Sequence, residues 1–308
     1  HFFAKNHILW LEDAPEEEPK MSGKLVLSQE YADLLIMGKV SKPAFSTKFP
    51  ATIIETELVW DDLVLNEETL SEIRELQTWI DHNDTLMQDW GMNKKLKPGY
   101  RALFHGPPGT GKTLTATLLG KYTQKDVYKI DLSMVVSKFI GETEKNLANL
   151  LAKAEKTGNI LFFDEADALF GKRTNVRDAH DKYANQEVSY LLQRIESYNG
   201  LVILASNLKS NIDDAYVRRF QSNIHFPLPK FPERLVIWEK AFPSKVKLHQ
   251  DVDLIQIAQR YDLSGAEIMN AVQYACLCSL QAGKKMIYRT DLVKGVQKEF
   301  QKGGRVMR

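Results

Sequence analysis

The sequence predicts an α/β fold, a parallel sheet with helices on both faces, followed by a small all-helical domain. Three observations carry this expectation. Between Trp60 and Pro229, short apolar runs alternate with helical patterns. One apolar run leads through Gly106-Pro107-Pro108-Gly109-Thr110-Gly111-Lys112-Thr113 into a helical pattern, the strand–loop–helix context of a P-loop. After Pro227-Leu228-Pro229 only helical patterns follow.

Taken in order, residues 1–57 read as a linker or the end of a longer N-terminal region. The stretch 12–19 is acidic and broken by proline, 28–37 offers a short helix, and 42–50 reads as extended connector. In the α/β region, 58–229, a helix over 67–83 places Leu70, Ile73, Leu76 and Ile80 on one face. A strand at 101–104 precedes the glycine-rich loop, and a helix over 112–123 follows it. Next come a strand at 127–131, a helix over 142–156 stopped by Gly158, and a strand at 160–163. A helix over 182–198, a strand at 201–205, a short helix over 213–220 and a strand at 223–226 complete the region. Several strands are uninterrupted apolar runs, as in parallel sheets buried on both faces. The last region, 230–308, contributes helices over 233–241, 253–261 and 291–301, the last capped by Thr290. Ser264-Gly265-Ala266-Glu267 forms a capping box that opens a further helix, and the end is a loose tail.

Composition narrows the function classes. Among 308 residues, 41 are basic and 40 acidic, so no global charge draws the chain to nucleic acid or an anionic membrane. No apolar run approaches the ~20 residues of a membrane span. Cys276 and Cys278 are two apart in a helical pattern and cannot face each other, which fits a reducing cytoplasm and buried small side chains. The 7 histidines show no metal spacing, and no protease motif is present.

The chemistry concentrates in three stretches. In the first, Gly106, Gly109 and Gly111 let backbone N–H groups curl around phosphate oxygens, with Pro107, Pro108, Thr110 and Leu114 completing the loop and helix start. The helix N-terminus adds partial positive charge there. Lys112 can reach the β- and γ-phosphates, and Thr113 can offer its hydroxyl to Mg²⁺. In the second, an apolar strand delivers Asp164 and Glu165 to the sheet's C-terminal edge. Asp164 would hold Mg²⁺, and Glu165 would orient the attacking water; alone, the pair would equally well cap a strand end. In the third, Asn207 ends the run 201–206 where it can bond the γ-phosphate and the water; an asparagine there also suits a turn.

Together with Arg218-Arg219-Phe220 and Ser264-Gly265-Ala266-Glu267, these motifs resemble those of AAA ATPases, in matching order and spacing over about residues 60–300. Within that family the chain looks most like the katanin, spastin and vacuolar-sorting branch. The stretch 172–194, with Asp178-Ala179-His180-Asp181, looks closer to AAA proteins encoded beside bacterial contractile injection systems. The resemblance implies ATP and Mg²⁺ as ligands, a homo-oligomeric ring of six copies, and a protein substrate or adaptor; the balanced charge argues against nucleic acid. The resemblance further implies that Arg218 and Arg219 are fingers reaching a neighbouring copy's γ-phosphate, with a solvated basic pair at a helix end as the alternative. It implies that Lys138, Phe139 and Ile140 line a central pore; an aromatic packed into the core is the alternative. Arg173 and Arg177 would stand near a second pore constriction, or on a solvated face. Asp62 and Val64 would stand beside the adenine, although a packed entry to the sheet explains the apolar residues equally well, and Gly265 and Ala266 would stand at the lid side of the nucleotide. The wider group often carries an arginine at the start of that lid helix; here Ser264-Gly265-Ala266-Glu267 has none.

Overall fold

A computed structural model describes residues 3, 8–12, 19, 21–38, 51–130, 150, 151, 154, 155, 158–167, 189–208, 210, 212 and 214–305. The chain divides into two compact units, His1–Phe45 and Ser46–Arg308. The first holds an antiparallel hairpin of β1 (Leu9–Leu11) and β2 (Leu25–Leu27), then helix α1 (Gln29–Met37). Ser28 caps α1 through its hydroxyl, and Gly38 closes it in the left-handed conformation. The hairpin was not legible as such, because its strands of three residues are too short to show a period.

The second unit is built on a six-stranded sheet. Its strands are β3 (Ala51–Ile54), β4 (Tyr100–His105), β5 (Val127–Ile130), β6 (Ile160–Phe163), β7 (Leu201–Ser206) and β8 (Ser222–His225). Their spatial order is β3-β5-β6-β7-β4-β8, parallel throughout except for β3, which runs antiparallel along β5. Ala51–Ile54, which the sequence reading assigns to the N-terminal segment, thus supplies the edge strand, with Ala51 fully buried.

The sheet is buried on both faces because consecutive side chains alternate between them. Leu103, Leu161, Phe163, Val202 and Leu204 point into one core with Leu150, Leu151, Leu191, Leu192 and Tyr198. Ala102, Phe104, Phe162, Ile203 and Ala205 point into the other, against Ile73 and Leu76 of α2 (Glu67–Asp84) and Ala116 and Leu119 of α3 (Lys112–Thr123). Short helix α4 (Asp214–Val217) leads into β8.

Beyond β8 come α5 (Phe231–Ala241), α6 (Leu254–Arg260), α7 (Gly265–Gln281) and α8 (Arg289–Lys302), packed around a fully buried Trp238. Two details depart from the sequence expectation. The region is not purely helical: β9 (Lys247–Leu248) pairs in parallel with β10 (Met286–Ile287). And α8 starts at Arg289 with Tyr288 at its cap, so Thr290 lies inside its first turn. No helix among the described residues is long and apolar enough to cross a membrane.

Candidate functional site

The parallel register gathers the three polar stretches at one edge. His105 lies opposite Ser206, and Phe163 opposite Leu204, so Gly106, Asp164 and Asn207 all leave the C-terminal ends of adjacent strands. Ligands bind at that edge in open α/β sheets, where the strand order reverses.

The loop from Gly106 to Gly111 needs its glycines. Gly109 and Gly111 have φ of 75° and 103°, in the left-handed region. A Cβ at Gly106 would sit 2.0 Å from the Phe226 carbonyl oxygen. One at Gly109 would meet Ala266 Cβ at 2.7 Å and Ser264 Oγ at 2.8 Å. The loop and the start of α7 are therefore in intimate contact, and the Ala266 amide donates to the Gly109 carbonyl at 3.2 Å.

Lys112 is 7% exposed. Its ammonium donates to the carbonyls of Gly106 (2.6 Å) and Pro107 (2.9 Å) and approaches Asn207 Oδ1 at 3.3 Å. Burial pulls its pKa below the ordinary lysine value, opposed by the negative charges of Asp164 and Asp167. Asp164 Oδ2 accepts from Lys129 at 2.6 Å, and its Oδ1 accepts from the Glu165 amide at 3.1 Å. Glu165 has a φ of 52°, a conformation rare outside glycine and often found where function constrains a residue. Asp167 Oδ1 is buried with no hydrogen-bond partner among the described residues.

Lys112, Asp164, Glu165 and Asn207 border a cavity of about 600 Å³. Its polar end is Pro108–Leu114, Asp164, Glu165 and Asn207; its apolar end includes Leu63, Val64, Leu228, Ile237 and Met269. Asp62, Gly265 and Ala266 also line it. The Asp62 carboxylate is occupied in accepting from the Val59 amide at 2.8 Å, so it caps its own turn. Lys240 of α5, which also lines the cavity, donates to the Asp61 carbonyl.

A triphosphate fits this cradle: left-handed glycines at 109 and 111 shape the loop, and the buried Lys112 ammonium stands beside it. Mg²⁺ fits as well. Among the described residues no cluster of three or more His, Cys, Asp or Glu could hold a metal alone. Mg²⁺ needs none, because it takes one or two protein oxygens and completes its shell with phosphates and water. Thr113 and Asp164 both line the cavity and offer those oxygens.

Residues 102–228 match the model of the ATPase family associated with various cellular activities, AAA. They form an AAA ATPase domain. The ligands of this domain are ATP and Mg²⁺, and it is an ATPase. The chain is 34% identical over 240 residues to a proteasome-activating nucleotidase of Aeropyrum pernix, covering 75% of this chain and 58% of that one. A second such nucleotidase, from Archaeoglobus fulgidus, is 28% identical over 295 residues, covering 93% and 73%. An ATP-dependent zinc metalloprotease FtsH of Malacoplasma penetrans is 27% identical over 259 residues, covering 82% and 31%. The chain thus spans between about a third and three quarters of the length of these relatives.

Within the AAA domain, Arg218 and Arg219 do not approach this cavity. Both are exposed and precede β8, at the N-terminal edge of the sheet. Arg219 pairs with Glu196 at 2.6 Å. Lys138, Phe139 and Ile140, and with them Arg173, Arg177, Asp178 and His180, lie outside the described residues. Sequence reasoning missed Lys129 and Lys240. Lys129 left a signal: a lysine inside the short apolar strand Val127-Tyr128-Lys129-Ile130 needs a partner.

Proposed function

We propose that the chain works as a homo-oligomeric ring, a hexamer, that couples ATP hydrolysis to unfolding, threading or disassembling protein partners. One observation supports the ring above the rest. Arg218 and Arg219 stand before the N-terminal end of β8, whereas the P-loop leaves the C-terminal end of the neighbouring parallel β4. The two are separated by the length of the strands, on the order of 10 Å or more at ~3.3 Å per residue. The arginines then serve the pocket of an adjacent copy.

The division of labour follows from the positions. Lys112 and the loop amides bind the phosphates. Glu165 orients and polarises the attacking water, and Asn207 holds its position beside Lys112. Arg218 and Arg219 of the next copy stabilise charge developing at the γ-phosphate, worth on the order of 10³-fold in rate. Thr113 and Asp164 would hold Mg²⁺, which draws charge from the phosphate oxygens. The regions 58–229 and 230–308 act as domain and lid. The contact of Gly109 with Ala266 carries the nucleotide state from one to the other, and the pore residues Lys138, Phe139 and Ile140 move with it.

Mixing two inactive variants tests the ring. Lys112→Ala keeps its arginines but loses its pocket; Arg218→Ala with Arg219→Ala keeps its pocket but loses its arginines. Activity should return when they are combined. A mixture as inactive as its parts sinks the shared site.

The resemblance to proteins encoded beside contractile injection systems supports a second reading: a nucleotide-gated assembly factor in the cytoplasm whose ATP state controls docking on a larger machine. The katanin, spastin and vacuolar-sorting likeness supports the remodelling reading. Retention of partner proteins by a Glu165→Gln variant, identified by mass spectrometry, separates unfolded clients from machine components.

A further inference from the structure

The AAA domain accounts for Lys112, Asp164 and Glu165, but not for the cation that Asp164 holds. Lys129 sits in β5 opposite Phe162, on the strand next to the one that delivers Asp164. Its ammonium lies 2.6 Å from Asp164 Oδ2, while the other carboxylate oxygen accepts the Glu165 amide. Lys112 feels the charge of this carboxylate but makes no hydrogen bond to it: its three go to Gly106, Pro107 and Asn207. Lys112, which lines the cavity, faces the loop carbonyls, and Lys129, from the neighbouring strand, neutralises the acid.

We propose that Lys129 is a tethered counter-ion that occupies Asp164 before Mg²⁺ arrives, and so sets the Mg²⁺ concentration at which the pocket takes up nucleotide. The physical basis is competition for one carboxylate. Lys129 already occupies one of the two Asp164 oxygens that would serve Mg²⁺, and the other accepts the Glu165 amide. A fixed positive charge beside the metal position also repels a divalent cation directly. The side chains are 41% and 28% exposed, so water screens the pair and the competition is modest in size. The arrangement also holds the Asp164 side chain in one orientation. Mg²⁺ uptake then begins from an ordered carboxylate instead of a free rotor, at the cost of displacing or sharing with the lysine. This inference rests on the reading of the cavity as a site for Mg²⁺ and a nucleoside triphosphate.

The test is a binding measurement without turnover. A fluorescent, non-hydrolysable ATP analogue is titrated with Mg²⁺ against the full chain, and the Mg²⁺ midpoint of binding is read. Lys129→Gln should lower that midpoint by about three- to fivefold, the scale of a partly screened ion pair. Lys129→Arg should stay near wild type, since it keeps the charge within reach. In an Asp164→Asn background, Lys129→Gln should shift the midpoint by less than it does in wild type, because the contested carboxylate is gone and only direct repulsion remains. An unchanged or raised midpoint in Lys129→Gln overturns the proposal, and so does an Arg variant that shifts as far as the Gln variant. Wild-type protein that binds no analogue at any Mg²⁺ concentration overturns instead the reading of the cavity itself. Matching melting curves of wild type and Lys129→Gln in EDTA exclude misfolding as the cause of any shift.

Discussion

The Arg219 guanidinium is held 2.6 Å from the Glu196 carboxylate, whose other oxygen takes Lys97 at the same distance. Behind them, buried Arg101 donates to the Glu196 backbone carbonyl at 3.0 Å and to Gln221 at 3.2 Å. Glu196 thus fixes an exposed arginine to the sheet. Replacing Glu196 with alanine should lower turnover of the assembled protein several-fold while sparing nucleotide affinity, and Lys97→Ala should spare both. Steady-state kinetics alongside analogue titration separates the two effects.

The same carboxylate makes a pH prediction. The hydrogen bond from Lys97, with that from Arg219, holds the Glu196 pKa below its ordinary value of 4.5, against the opposing effect of burial. A depressed carboxylate stabilises the fold above its unfolded pKa and loses that contribution as pH falls through the folded one. The melting difference between wild type and Glu196→Gln should therefore be constant across neutral pH and vanish in the acid range below 4.5. Added salt should shrink it at every pH, because Lys97 is largely exposed.

Glu165→Gln keeps the pocket's shape but removes the group proposed to polarise water. Nucleotide binding should persist, hydrolysis should slow by about 10²-fold or more, and oligomers should accumulate with ATP. Phosphate release and analytical ultracentrifugation read these outcomes. Turnover like that of wild type would remove Glu165 from its role.

At Gly109, alanine meets two obstacles. The left-handed backbone there costs an L-residue about 1–2 kcal/mol, and its Cβ would strike Ala266 and Ser264. Gly109→Ala should lower the melting temperature and weaken nucleotide binding by about tenfold or more, in line with loss of ~1.4 kcal/mol. Gly283→Ala, also in the left-handed region but with nothing within 4 Å of its Cβ, should cost stability alone.

Phe139→Ala separates threading from gating. A threading enzyme should keep basal hydrolysis and ring formation but lose stimulation by its protein substrate. A variant that acts normally on its partner would sink the threading account.

Much of the site was legible because its signals are local. Gly106 to Thr113 combines loop chemistry with a strand before and a helix after, and α3 runs from Lys112 to Thr123 as its pattern predicts. Phe162 and Phe163 read as a buried strand because both faces of the sheet are covered. What escaped depends on distant partners. Ala51–Ile54 gains its identity as a strand from β5, more than seventy residues away, and its four residues carry no period of their own. The Lys129–Asp164 and Lys240–Asp61 contacts join residues that only the fold brings together. Likewise the separation of Arg219 from Lys112 follows from strand direction, which no single segment encodes.

That separation gives each molecule a polarity. With the P-loop at one margin and Arg218 and Arg219 at the other, copies that share sites as proposed form a row with a receptive end and a donating end. A row left open always strands one pocket without its donor and one donor without a pocket; only closure on itself employs every part. A single defective copy would then silence a neighbour as well as itself, so small doses of an arginine-less variant should depress the whole population by more than their share.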